Sequence, residues 1–153
     1  MGKADSLARF FSRPFFLSLT IGLPFCIFKL LFGLSAIRAG GGDRPLLALF
    51  GAGVLLWAGV DMMMNAGRAL LDLLGRGAPF EYCSIAQMGR LVGMPTVFLA
   101  FDTLLSFSII CIMLWSGWIA ALTPWESVVW SGATTLNLIS LSIVMLLTEI
   151  RRV

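Results

Sequence analysis

Four long apolar stretches, separated by short polar or glycine-containing breaks, dominate the sequence. A helix needs about 20 apolar residues to cross the hydrocarbon core of a bilayer, which is about 30 Å thick. Each stretch reaches that length, whereas a membrane-barrel strand alternates its faces over only about ten residues. The pattern predicts a single all-α domain over residues 1–153, an integral membrane four-helix bundle with transmembrane helices at about 14–37, 45–74, 91–117 and 125–150.

The breaks between these stretches carry helix start and stop signals. Glycines at 40–42 precede Pro45, and the glycines at 75 and 77 precede Pro79. Glycine commonly ends helices and proline is favoured in their first turn. The third break, 123–126, is typical of a helix cap followed by an acidic first turn. The half-apolar segment 80–88 of the loop 75–90 leaves two alternatives, a short interfacial helix or a direct lead into the third span.

Composition supports a membrane protein and excludes several kinds of site. Apolar residues make up 59% of the chain and charged residues 12%, against about 45–50% and about 25% in soluble proteins. The net charge of +3 forms no basic patch, so no nucleic-acid partner is expected. Histidine is absent and the three cysteines are far apart. We therefore expect no metal, no cofactor and no catalytic residues.

The distribution of basic residues predicts the orientation. Placing both termini on one side collects most lysines and arginines there, and short basic segments stay cytoplasmic. Both termini and the loop 75–90 are therefore expected in the cytoplasm. Small size and short loops favour the bacterial inner membrane as the location. The cytoplasmic side would carry Lys3, Arg9, Arg13, Arg76, Arg90, Arg151 and Arg152, and the opposite side Arg38 and Arg44.

A polar stripe on the second helix is the strongest chemical signal. Its members, Asp61, Asn65, Arg68 and Asp72, are spaced at i, i+4, i+7 and i+11, so they share one helical face. A charged group in mid-membrane costs at least about 2.5–3.5 kcal/mol, so this face must turn toward other helices or water. The other helices contribute Lys29, Asp102 and Asn137 as candidate partners.

Depth along the helices suggests how these groups pair. Lys29 and Asp102 lie at depths that a lysine side chain can bridge, so we expect them to form an intramembrane ion pair. Arg68 is expected to reach Asp72, four residues later, or the lipid headgroups. Asp61 is then left without an obvious cation. It would be either a neutral hydrogen-bond donor that locks the helices or a proton carrier.

Three functions remain open at this stage. The leading hypothesis is a non-catalytic accessory or assembly subunit of an inner-membrane complex, with the bilayer and other membrane subunits or further copies of the chain as partners. The alternative is an oligomeric small-solute or proton-coupled transporter or channel that uses Asp61, Asp102 and Lys29. An enzyme acting on lipids is the least favoured, because histidine and paired-carboxylate motifs are missing.

Overall fold

The computed structural model describes residues 10–11 and 13–150, and no strand occurs among them. The basic residues at 3, 9, 151 and 152, which contribute to the predicted orientation, lie outside this part of the chain. A 3₁₀ turn at Trp118–Ala121 precedes the last helix. The helices are α1 Pro14–Gly40, α2 Pro45–Leu73, α3 Ser84–Leu91, α4 Pro95–Trp115 and α5 Pro124–Ile150.

Four of these helices, α1, α2, α4 and α5, are long and apolar enough to cross a membrane. Their outward faces carry large apolar side chains such as Leu49, Leu104 and Met145, which are exposed. Exposure of apolar surface to water costs about 25 cal/mol per Å², a cost that acyl chains would not impose. The architecture is therefore compatible with a multi-pass membrane protein.

Helix α1 lies at the centre of the packing and contacts α2, α4 and α5. In its most apolar 18-residue stretch, 50% of the residues are buried, compared with 22%, 22% and 17% in the corresponding stretches of α2, α4 and α5. Phe28 of α1 packs edge-on against Trp130 of α5, with ring centroids 4.9 Å apart, and Met113 of α4 is fully buried in the same core. A polar residue on the inner turns of α1 therefore meets neighbouring helices rather than the surroundings.

The third predicted helix, 91–117, is wrong at its start. Leu91 ends the short helix α3, and α4 begins only at Pro95. Gly93 has a φ of +75°, and the backbone N–H of Met94 donates to the carbonyl of Gly89 over 2.8 Å. This glycine turn closes α3, and the proline starts a new helix. Of the two alternatives for the loop 75–90, the structure therefore has the separate short helix.

Two other helix boundaries differ slightly from the predicted ones. α1 continues to Gly40, three residues beyond the predicted end at 37, and the chain turns at Gly42, whose φ is +85°. α2 ends at Leu73, one residue early, ahead of Gly75 with a φ of +69°. Both turns need a left-handed backbone, which glycine adopts without steric cost.

Helix α1 has an irregular turn next to the site described below. Residues Ser18–Gly22 form a π-helical turn, in which the N–H of Leu23 donates to the carbonyl of Ser18. Pro24 follows immediately and has no N–H to continue the normal α-helical ladder. The wider turn accommodates this missing donor without breaking the helix.

The start of α5 confirms the predicted cap. The Thr123 hydroxyl accepts from the N–H of Glu126 over 3.3 Å, and Glu126 accepts from the N–H of Thr123 over 2.9 Å. This reciprocal pair satisfies two free donors of the helix. Arg38, near the end of α1, donates from both terminal nitrogens to the same glutamate. The pair ties α1 to α5 at the end opposite to α3.

Candidate functional site

The Lys29 ammonium lies between two carboxylates. Its Nζ is 2.6 Å from Asp102 Oδ1 and 2.8 Å from Asp61 Oδ2. The three residues come from α1, α4 and α2, and they are only 1%, 5% and 0% exposed. The structure therefore joins three of the predicted site residues in one buried cluster, which we call the Lys29 cluster.

An aromatic ring completes the surroundings of the ammonium. Lys29 Nζ lies 4.1 Å from the centroid of the Trp57 ring, one turn before Asp61 on α2. A cation over an aromatic face is attracted by about 2 kcal/mol or more when the pair is desolvated. The ammonium is thus held by two ion pairs and one ring face.

The expectation that Asp61 has no cation is wrong, because Asp61 shares Lys29 with Asp102. Its second oxygen, Oδ1, accepts from both the backbone N–H and the hydroxyl of Ser84, each over 2.7 Å. Ser84 is the first residue of α3, and the N-terminus of a helix favours a carboxylate. Asp61 therefore accepts hydrogen bonds through both of its oxygens, and it fixes the loop segment against α2.

Asp102 has fewer partners than Asp61. Among the described residues it receives the Lys29 ammonium and lies beside the Cys83 thiol. Cys83 precedes α3, and burial raises the pKa of its thiol to about 12. The thiol is a weak donor. Asp102 is consequently the carboxylate of the cluster with the least stabilised negative charge.

Asn65, one turn along α2 from Asp61, is 2% exposed and only partly satisfied. Its Nδ2 donates to the carbonyls of Tyr82, over 2.8 Å, and of Asp61, over 3.0 Å. Its Oδ1 has no hydrogen-bond partner among the described residues. A Cβ at Gly22 of α1 would collide with this oxygen, so the glycine leaves room for it.

A cavity of about 170 Å³ opens beside these groups, between α1, α2, α4 and the segment before α3. Lys29, Asp61, Asp102 and Asn65 contribute its polar part, together with Tyr82. The rest of the wall is largely apolar and includes Leu17, Ile21, Phe25 and Leu99. Buried charged groups therefore form part of the wall of this cavity.

Comparisons with protein-family models, curated proteins and solved structures gave no match.

Of the two alternatives for Arg68, the pair with Asp72 is wrong, and contact with lipid headgroups stays a prediction. Arg68 donates to the carbonyl of Phe80 and stacks 4.0 Å from the centroid of the Tyr82 ring. Asp72 instead pairs with Arg13 at 3.3 Å and accepts from the backbone N–H at residue 15 over 3.2 Å. The partners of Arg68 are in the loop before α3, and those of Asp72 are at the start of α1. Spacing along α2 could therefore not identify them.

Asn137 of α5 is separate from the cavity. It is 3% exposed, its Nδ2 has no partner among the described residues, and it is not part of the cavity wall. Sequence reasoning also missed Trp57, Cys83 and Ser84 as neighbours of the cluster. Cys83 and Ser84 belong to the segment around the start of α3, which has no helical periodicity in the sequence. The only sequence signal for these two residues was the half-apolar character of that segment.

The charges of the Lys29 cluster do not balance. With both carboxyl groups ionised, the described residues of the cluster would carry one excess negative charge, and all three groups are buried. An uncompensated charge is costly in a low-dielectric interior. The cluster can therefore take up one proton or one monovalent cation, and the cavity beside Asp102 supplies the space where such exchange would occur.

Proposed function

We propose that the chain is a multi-pass protein of the bacterial inner membrane, with both termini cytoplasmic, that couples proton movement to the transport of a small solute. One observation carries this proposal: two buried carboxylates share a single ammonium next to a cavity. Transport by a chain of this size would require an oligomer, because four helices leave little room for a pathway. No metal or catalytic group is part of the proposal.

The two aspartates have different roles in this mechanism. Asp61 is fixed by Lys29 and by both donors of Ser84, so it serves as a permanent counterion. Asp102 has fewer hydrogen bonds and faces the cavity, so it is the group that gains and loses the proton. Lys29 contacts both carboxylates, so it keeps the net charge of the cluster small whether Asp102 is protonated or ionised.

Proton flux into vesicles containing the purified protein tests this function. With an imposed pH gradient, a pH-sensitive dye inside and a mixture of small neutral, anionic and cationic organic solutes on both sides, we expect proton flux above that of protein-free vesicles. Asp102→Asn should return the flux to the protein-free level, because the exchanging carboxyl is removed. Asp72→Asn is the matched control and should keep the flux, since Asp72 lies outside the cavity wall. Absence of flux from the wild-type protein would reject the transport function.

A second candidate, the accessory or assembly subunit, is favoured by a different surface. Helix α5, one of the four candidate membrane spans, has a groove in which Ser131, Gly132 and Thr135 are exposed. Small and hydroxyl-bearing residues allow close approach and hydrogen bonding between membrane helices. Native purification followed by mass spectrometry tests this role. A stoichiometric membrane partner is the expected result, and a monodisperse monomer without a partner would argue against it.

A further inference from the structure

The cavity beside Asp102 has the features of a binding site for a positively charged molecule. The adjoining cluster has two carboxyl groups for one ammonium, so its second carboxylate needs either a proton or a further positive charge. Asn65 Oδ1 is an acceptor without a partner in the described part of the chain, on a side chain that is only 2% exposed and that lines the cavity. A buried acceptor left unpaired is destabilising. A ligand with a positive charge and an N–H donor would neutralise the second carboxylate and donate a hydrogen bond to the unpaired oxygen.

The size and the walls of the cavity restrict the ligand further. Its volume is about 170 Å³, and an apolar protein cavity of about 150 Å³ holds benzene. Phe25, Ile21 and Leu99 form apolar wall that a hydrated inorganic ion would not use. The fit is therefore to a compact organic body of about benzene size that carries one ammonium group.

We propose that this cavity binds a small organic monocation of about the size of benzylammonium, with its ammonium at Asp102 and Asn65 Oδ1 and its apolar body against Phe25 and Leu99. This inference rests on the proposed transport function and names the class of its solute. A neutral molecule of the same shape could not replace the proton that neutralises the second carboxylate in the ligand-free protein.

The ligand and the proton then compete for the same negative charge. When the ammonium enters, the O–H bond of Asp102 breaks, the proton leaves to water and the carboxylate pairs with the ligand. Among the described residues, the charged or titratable groups around Asp102 and the cavity are Lys29 and Cys26 on α1, Asp61 on α2, and Tyr82 and Cys83 before α3. Lys29 and Asp61 remain paired with each other in both states. Binding should therefore tighten as the pH rises, as long as the ligand itself stays protonated.

Calorimetric titration of the detergent-solubilised chain with benzylammonium chloride tests this inference. Titrations in two buffers with different ionisation enthalpies count the protons released. We expect one ligand per chain and release of about one proton, since ligand and proton neutralise the same carboxylate. Benzyl alcohol, which has the same shape and no charge, should bind more weakly and release no proton.

Substitutions identify the site and control for folding. Asp102→Asn should weaken benzylammonium binding by about 100-fold or more, since loss of a short, partly buried ion pair corresponds to several factors of ten. The same variant should retain its binding of benzyl alcohol, which shows that the cavity is still formed. Asp72→Asn should bind both probes as the wild type does.

Three results would overturn the inference. They are equal binding of the two probes, binding of benzylammonium without proton release, and unchanged benzylammonium binding in Asp102→Asn. If proton flux in vesicles persists in any of these cases, the transport function stands and only the ligand class is wrong. If flux is also absent, the proposed function fails with it.

Discussion

Replacing Lys29 by methionine is expected to prevent stable folding. The substitution leaves Asp61 and Asp102, which are 0% and 5% exposed, facing each other without the ammonium that separates them. Breaking a buried ion pair by removing one partner costs about 3–5 kcal/mol, which is a large share of the stability of a small protein. Unfolding by SDS in mixed micelles, followed by tryptophan fluorescence, measures the change in the free energy of unfolding.

A neutral triple variant separates this effect from the loss of packing around the lysine stem. Lys29→Met/Asp61→Asn/Asp102→Asn removes all three charges, and Asn at 61 keeps an acceptor for Ser84. Most of the lost stability should return, because replacing a whole buried ionic group by neutral residues is often tolerated. A Lys29→Met variant as stable as the wild type would contradict the assignment of Lys29 as the shared counterion.

Replacing Gly51 by leucine should have the second large effect. A Cβ at Gly51 of α2 would lie 2.7 Å from the carbonyl oxygen of Gly33 and 2.9 Å from the backbone nitrogen of Ile37, both on α1. Backbone atoms cannot move aside as flexible side chains do, so the two helices must separate. Overpacking of this kind costs about 1–3 kcal/mol or more, and the same SDS titration measures it.

Gly53, two residues along α2, provides the matched control. It is exposed, and a Cβ there would meet nothing within 4 Å. Leucine is a better helix former than glycine by somewhat less than about 1 kcal/mol, so Gly53→Leu should be as stable as the wild type or slightly more so. Equal destabilisation by Gly51→Leu and Gly53→Leu would contradict the claim that the backbones of α1 and α2 lie in close contact at Gly51.

Helical periodicity explains how much of the site could be predicted. The spacing of Asp61 and Asn65 put them on one face of α2, and the buried residues of that helix include both, together with Gly51, Val54 and Ala58. A period of 3.6 residues determines which side chains share a face, and lipid penalises charge outside the packed face. The inward direction of these groups therefore follows from the sequence.

The sequence determines the partners of these groups much less well than it determines their direction. Rise per residue gives depth only to within several ångströms, which is too coarse to decide whether Lys29 meets Asp102, Asp61 or both. The hydrogen bonds from Ser84 to Asp61 depend on a loop that returns into the helix packing. No periodic pattern describes such a loop, so its contribution could be seen only in three dimensions.

Infrared spectroscopy of the carboxylic acid C=O stretch tests the charge of the Lys29 cluster most directly. At neutral pH and without organic cations, we predict one protonated carboxyl in the wild type, because Lys29 balances only one of the two aspartates. The band should disappear in Asp102→Asn and also in Asp61→Asn, since either change leaves one carboxylate for one ammonium, and it should persist in Asp72→Asn. A wild-type spectrum without this band, or a band that survives both of the first two substitutions, would contradict the account.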